Sequence, residues 1–220
     1  MYRFEKKFST SENNLSQIFA LIKFHPAGFS ELYRERIVNS IYFDSPDFNM
    51  YSDSINGALS RKKFRLRWYG SENSINSFLE VKKKEGEKGS KERFKLNPIL
   101  KTDKITSEFI VNLIEMSKVK DNQILNFFNY YPVLLCTYKR RYFLSSNKSI
   151  RLTVDYEIGY SPFSYNYSIS ECRAIFDSSL ILEYKYPYFI DKSFLINLDI
   201  LPLRQTRFSK YSNGVELLYL

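Results

Sequence analysis

Ser60-Arg-Lys-Lys-Phe-Arg-Leu-Arg-Trp-Tyr69 is the stretch on which the reading of the whole chain turns. As a strand, whose side chains alternate between faces, it places Arg61, Lys63, Arg65 and Arg67 on one side and Phe64, Leu66 and Trp68 on the other. Cations at every second strand position stand about 7 Å apart, and neighbours repel by roughly 2 to 3 kcal/mol at an effective dielectric of 20. A face of this kind calls for an anion.

The alternation recurs along the chain. In Phe78-Leu-Glu-Val-Lys-Lys-Lys84, Glu80, Lys82 and Lys84 share a face opposite Leu79 and Val81. Lys91, Arg93 and Lys95 line up against Phe94 and Leu96, and Arg140 stands with Tyr138 and Tyr142. Arg151 shares a face with Thr153 and Asp155, and Glu183 with Lys185 opposite Leu182, Tyr184 and Tyr186. Two architectures accommodate such strands. Charged faces turned to solvent make an ordinary antiparallel sheet with a basic exterior. Charged faces turned inward require a barrel wide enough for a charged lumen, with its apolar faces packed outward against helices.

With 220 residues, 44% of them hydrophobic, the chain suits one domain with a sizeable core. A formal charge of +9 points to an anionic partner, whether nucleic acid, phosphorylated small molecule, polyphosphate or membrane surface. The start, Tyr2-Arg-Phe-Glu-Lys-Lys-Phe8, is charged, and no apolar run reaches membrane-spanning length. The expectation is a cytoplasmic protein with no integral membrane segment. Oligomeric state is not legible.

Local signals outline strands interrupted by a few helices. Tyr2 to Phe8 alternates as a strand, after which Ser9 and Glu12 form a capping box for a helix bearing Leu15, Ile18, Phe19 and Ile22 and ending before Pro26. Val38 to Asp44 reads as a strand, Asp47 to Tyr51 as a short turn or helix, and Glu85 to Ser90 as a hairpin tip. Thr106 to Ser117, Asp121 to Phe128 and Asp191 to Leu198 read as helices.

The inventory of catalytic groups is short. His25 is the single histidine, so a histidine metal cluster, a Ser/His/Asp triad and a Cys/His pair have no support. Cys136 and Cys172 lack metal-ligand spacing and read as structural thiols. The phosphate loop GxxxxGK[ST] is absent. Arginine forks and lysine charges remain, and they suit phosphoryl groups, whose transfer depends mainly on positioning and charge neutralisation. A carboxylate amid cations suits a hard divalent cation, and Glu183 and Glu5 are the candidates. The plainer role for Glu5 and Glu80 is to balance neighbouring cations.

Read in order, Arg3-Phe-Glu-Lys-Lys7, Ser40-Ile-Tyr-Phe-Asp-Ser45, Lys63-Phe-Arg-Leu-Arg67, Leu79-Glu-Val-Lys82, Lys91-Glu-Arg93, Tyr138-Lys-Arg-Arg-Tyr142, Arg151-Leu-Thr-Val-Asp155, Ile181-Leu-Glu-Tyr-Lys185 and Ser209-Lys-Tyr211 span nearly the whole chain. Together they resemble the VTC domain, the polyphosphate polymerase module of the triphosphate tunnel metalloenzymes. The resemblance implies an α+β fold, a closed antiparallel eight-stranded β tunnel with helices packed outside, as one domain over residues 1–220. It also implies a reaction in which the terminal phosphoryl group of ATP passes to a growing polyphosphate chain and ADP leaves, with Mn²⁺ or Mg²⁺ as cofactor.

Carried over motif by motif, Arg65, Arg67, Lys82, Arg140, Arg151 and Lys210 are the implied catalytic phosphate ligands. Lys7, Lys63, Lys91, Arg93 and Lys185 would bind further phosphates, Tyr138 would touch the nucleotide base, and Glu183 with Glu5 would hold the metal. Arg3 stands where the wider superfamily has an acidic residue, as in the VTC branch. Lys6, Lys139 and Arg141 fall on the opposite parity and read as exterior charges. The implied partners are ATP and inorganic polyphosphate. The alternatives are a tripolyphosphate or nucleoside triphosphate hydrolase and a noncatalytic polyphosphate or nucleotide sensor. A nucleic-acid binder fits less well, because the cations sit on faces expected to enclose rather than on an open platform.

Overall fold

The computed structural model describes residues 3–70, 77–86, 88–96, 106, 108, 112, 129–165, 172–187 and 203–220. The helices expected at 106–117, 121–128 and 191–198 lie outside the described residues, apart from 106, 108 and 112. The strands are β1 (Arg3–Ser11), β2 (Ser30–Asp44), β3 (Ser60–Tyr69), β4 (Ser77–Glu85), β5 (Lys88–Leu96), β6 (Tyr131–Leu144), β7 (Arg151–Pro162), β8 (Ile175–Asp177) and β9 (Ser179–Pro187). The helices are α1 (Leu15–Lys23), α2 (Asn49–Ile55) and α3 (Lys210–Tyr219). No helix among the described residues is long and apolar enough to cross a membrane.

The strand order is β1-β9-β7-β6-β2-β3-β4-β5, with β8 pairing β7 off this path. Among the described residues the sheet thus has eight strands on its main path and β8 beside it, and that path is open, which corrects the expectation of a closed tunnel. Closure needs a strand partner at each end of the path. At β1 that edge is already in use: Gln205 bridges Phe8, and the Thr206 amide donates to the Lys7 carbonyl at 2.9 Å.

The chain divides into two compact units. One comprises Met1–Arg36, Tyr138–Ile158 and Phe176–Ser209. In it, Leu152, Val154, Leu180, Leu182 and Phe8 bury one parity of β7, β9 and β1 with Ile18 and Ile22 of α1. Phe19 of α1 adds ring contacts to Phe143 and Tyr156, with centroids 6.2 and 6.0 Å away. The strand parity that carries the charges is thus the one turned away from the α1 core. The helix entry differs from expectation. Ser9 is still in β1, and Ser11 caps a 3-10 turn by accepting from the Asn13 amide at 3.3 Å. Pairing with β9 as far as Ser11 outweighs the local capping signal at Ser9.

The other unit comprises Ile37–Thr137, Gly159–Ile175 and Lys210–Leu220. Ile41, Phe43, Phe64, Leu66, Trp68, Leu79 and Val81 are each no more than 2% exposed, so the apolar parity of β2, β3 and β4 forms its core. The buried Asp44 holds α2: one oxygen accepts from the Met50 amide at 2.9 Å, and the other from the Tyr51 amide at 3.0 Å and from the Tyr211 hydroxyl. Tyr211 belongs to α3, so one carboxylate fastens both α2 and α3.

Candidate functional site

The first cluster is set by register on the β2–β5 side of the second unit. Tyr42 pairs Arg65, Arg65 pairs Glu80 and Glu80 pairs Arg93, which makes one row across the sheet. The next row is Lys63, Lys82 and Lys91. Another runs Ser40, Arg67, Phe78 and Lys95. Directly opposed side chains stand about 5 Å apart at Cβ, and like charges there repel. Three lysines thus stand opposed in one row, with Lys91 also paired to Glu80.

Glu80 is the anchor of this face and is 2% exposed. Its Oε2 meets Arg65 Nη2 at 2.5 Å and Arg67 Nη1 at 3.6 Å. Its Oε1 meets Lys91 Nζ at 2.6 Å and Arg93 Nε at 3.4 Å. Burial pushes the carboxyl pKa up, but the charges of Arg65, Arg67 and Lys91 win and hold it at about 2. Lys91 is pushed down to about 8, by burial first and the Arg65 charge second, against the pull of Glu80. Arg67 Nε donates to Ser40 Oγ at 3.2 Å, and the Arg93 guanidinium lies over Phe78 at 3.5 Å. Lys63 Nζ lies 5.6 Å from the Tyr211 ring, whose chain neighbour Lys210 begins α3.

The second cluster belongs to the first unit. Arg140 forks onto the buried Asp155, with Nε to Oδ1 at 2.5 Å and Nη2 to Oδ2 at 2.6 Å. That pairing outweighs burial and holds the guanidinium well above its ordinary pKa. Register sets Glu5, Lys185 and Arg151 in one row and Lys7, Glu183 and Thr153 in the next. Glu183 meets Lys185 Nζ at 2.7 Å and Lys7 Nζ at 3.7 Å. Lys7 also meets Glu5 at 3.2 Å and donates to the Phe208 carbonyl at 3.1 Å. Burial opposes charge on Glu183, yet Lys185, Lys7 and Arg140 keep its pKa well below the carboxylate range. Arg151 is exposed at the end of its row.

The expected site residues thus gather into two groups, one in each unit. Lys63, Arg65, Arg67, Lys82, Lys91 and Arg93 share the first face, with Lys210 next to Tyr211 in the same unit. Lys7, Arg140, Arg151, Glu183, Lys185 and Glu5 share the second. Tyr138 is 1% exposed with Arg140 5.3 Å from its ring, so it offers little surface to a base. Glu80 balances the cations around it, the plainer of its expected roles, and Asp155, which the sequence does not single out, anchors Arg140. On their own strands Glu80 aligns with Lys82 and Asp155 with Arg151, but the cations they hold lie on neighbouring strands, which only the register brings together. Lys139 pairs Glu157 at 2.7 Å and Arg141 pairs Glu31 at 2.9 Å, in keeping with their assignment to the opposite face.

A divalent cation is tested by this donor set. Glu183 and Glu5 are two carboxylates joined through Lys7 and Lys185, and no group of three acidic, histidine or cysteine side chains suited to a metal occurs among the described residues. Such a pair fits a Mg²⁺-like ion that takes its other oxygens from phosphate and water. It does not make an all-protein cage.

An antiparallel α+β protein with cation-rich sheet faces, each set around a buried carboxylate, is the class these features define. The chain belongs to the VTC domain family, whose model matches residues 2–219. Among solved structures, it is similar to the PH1819 protein of Pyrococcus horikoshii OT3, at 13% identity and a TM-score of 0.58, over 98% of this chain and 99% of that one. It is also similar to a candidate adenylate cyclase from Vibrio parahaemolyticus, at 10% identity and a TM-score of 0.52, over 98% of each chain. At these identities the likeness is one of fold. No curated protein matches the sequence.

Proposed function

We propose that the protein is a polyphosphate polymerase that moves the terminal phosphoryl group of ATP onto a polyphosphate chain. Family membership supports a nucleotide or polyphosphate substrate, and one observation carries the reading to residues. Glu80, a single buried carboxylate, gathers Arg65, Arg67, Lys91 and Arg93 beside the Lys63–Lys82–Lys91 row. A face of strand-borne cations with a repeat of several ångströms matches a chain of phosphates better than a single anion. In the reaction, a terminal oxygen of the polymer attacks the γ-phosphorus of ATP, the bond to the β–γ bridging oxygen breaks, and ADP departs with that electron pair. The protein needs no covalent intermediate, since positioning and charge neutralisation lower the barrier.

Arg65 and Arg67 orient phosphoryl oxygens through their forks, and Lys63, Lys82 and Lys91 supply point charge. Arg140, fixed by Asp155, is a rigid donor of the same kind. Glu183, with Glu5, would hold Mn²⁺ or Mg²⁺, which when bound would offset charge on the phosphates. The pairing of these carboxylates with Lys7 and Lys185 favours a second reading, a noncatalytic polyphosphate or nucleotide binder. Purified protein given ATP with Mn²⁺ or Mg²⁺ and assayed for both polymer and orthophosphate decides between them. Polymer formed by the wild type and lost in Arg65→Ala with an unchanged circular-dichroism spectrum supports the proposal. Orthophosphate alone indicates a hydrolase, and neither product indicates a sensor.

A further inference from the structure

Tyr138 is covered, but another aromatic group in the same unit is open. Tyr33 on β2 is 48% exposed. Its ring meets Tyr142 edge-on, with centroids 5.7 Å apart and planes at 84°. The exposed Arg36 guanidinium lies over both rings, 4.7 Å from Tyr33 and 5.7 Å from Tyr142. Tyr142 in turn lies 5.8 Å from the guanidinium of Arg140. Since Tyr138, Arg140 and Tyr142 alternate along β6, Tyr142 carries the charged face about 7 Å beyond Arg140.

A half-open ring pair capped by a guanidinium and continuous with the Arg140 guanidinium has the chemistry of a stacking platform for a planar base. We infer that Tyr33, Arg36 and Tyr142 receive the base of a nucleoside triphosphate whose phosphates reach Arg140, an inference that rests on the proposed function. Tyr33 and the Arg36 plane offer π-faces without a fixed hydrogen-bond pattern. The platform therefore accepts purines of either kind.

Calorimetric titration of the full chain with ATP and, separately, with tripolyphosphate tests this, because only ATP carries a base. Tyr33→Ala weakens ATP about 10-fold, in line with the loss of one stacking contact, and leaves tripolyphosphate unchanged. Tyr33→Phe, which keeps the ring, retains the wild-type affinity for ATP. An ATP affinity unaffected by Tyr33→Ala, or an equal loss for both probes, overturns the platform. Wild-type protein that binds neither probe overturns the phosphate reading beneath it.

Discussion

Arg65 Nε donates to Glu80 Oε2 at 2.6 Å across the β3–β4 ladder, so the cation run of β3 is pinned by a carboxylate that solvent hardly reaches. The bond fixes the direction of the guanidinium before any ligand arrives. It also makes Glu80 the residue whose removal separates stability from binding.

Glu80 has a folded pKa of about 2 against an ordinary 4.5, so its contribution is fully present above pH 4.5 and is lost as pH falls toward 2. The shift corresponds to about 3 kcal/mol at neutral pH. Denaturant midpoints measured from pH 7 to pH 2 should fall steeply below pH 4.5 in the wild type. Glu80→Gln should begin less stable by a similar amount and show a shallower acid limb. Equal acid limbs would remove Glu80 from its anchoring role.

Lys91, pushed down to about 8, is part deprotonated just above that pH, and a bound phosphate favours its charged form. Tripolyphosphate binding at pH 8 to 9 is therefore expected to take up protons. Calorimetry in buffers of different ionisation enthalpy measures the uptake, and Lys91→Met should abolish it.

Opposed like charges in the Lys63–Lys82–Lys91 row repel by a few tenths to about 1 kcal/mol. Lys82→Ala should leave the unliganded protein as stable as the wild type or more so in low salt. Thermal unfolding with and without tripolyphosphate checks this, and the variant should gain less stabilisation from the ligand.

Glu183→Gln tests the cation. With Lys7 and Lys185 still in place, the variant should keep its affinity for tripolyphosphate in chelator. The added stabilisation by Mn²⁺ in the presence of tripolyphosphate should disappear. A variant that still responds fully to Mn²⁺ would place the cation elsewhere.

Gly214 in α3 reports on the fold alone. A Cβ there would stand 2.7 Å from Tyr160 and 3.0 Å from Leu134, so Gly214→Ala forces packed side chains apart. Overpacking of this kind costs typically 1 to 3 kcal/mol, and chemical denaturation should show that loss.

The strand faces were legible because period-2 alternation survives in the final sheet: Arg65, Arg67 and Glu80 share one side, and Phe64, Leu66 and Val81 fill the core. Register and anchoring were less so. That Glu80 lies opposite both Arg65 and Arg93 depends on pairings between distant segments, and its burial follows from them. Gln205 and Thr206 meet the β1 edge at Phe8 and Lys7, a tertiary contact with no local signature. The alternation marks β2 only from Val38, whereas the strand begins at Ser30, since its first half is mostly exposed and carries no hydrophobic alternation. Tyr33 lies in that first half, where no alternation marks it.

The central claim, that the β2–β5 face binds a chain of phosphates, is tested most directly by titrating polyphosphate of defined length into wild-type protein and Lys63→Ala/Lys82→Ala over a range of salt. The double variant should bind at least 10-fold more weakly with a shallower dependence on salt, while unfolding no more easily than the wild type. Unchanged affinity and salt dependence in the folded variant would contradict the claim.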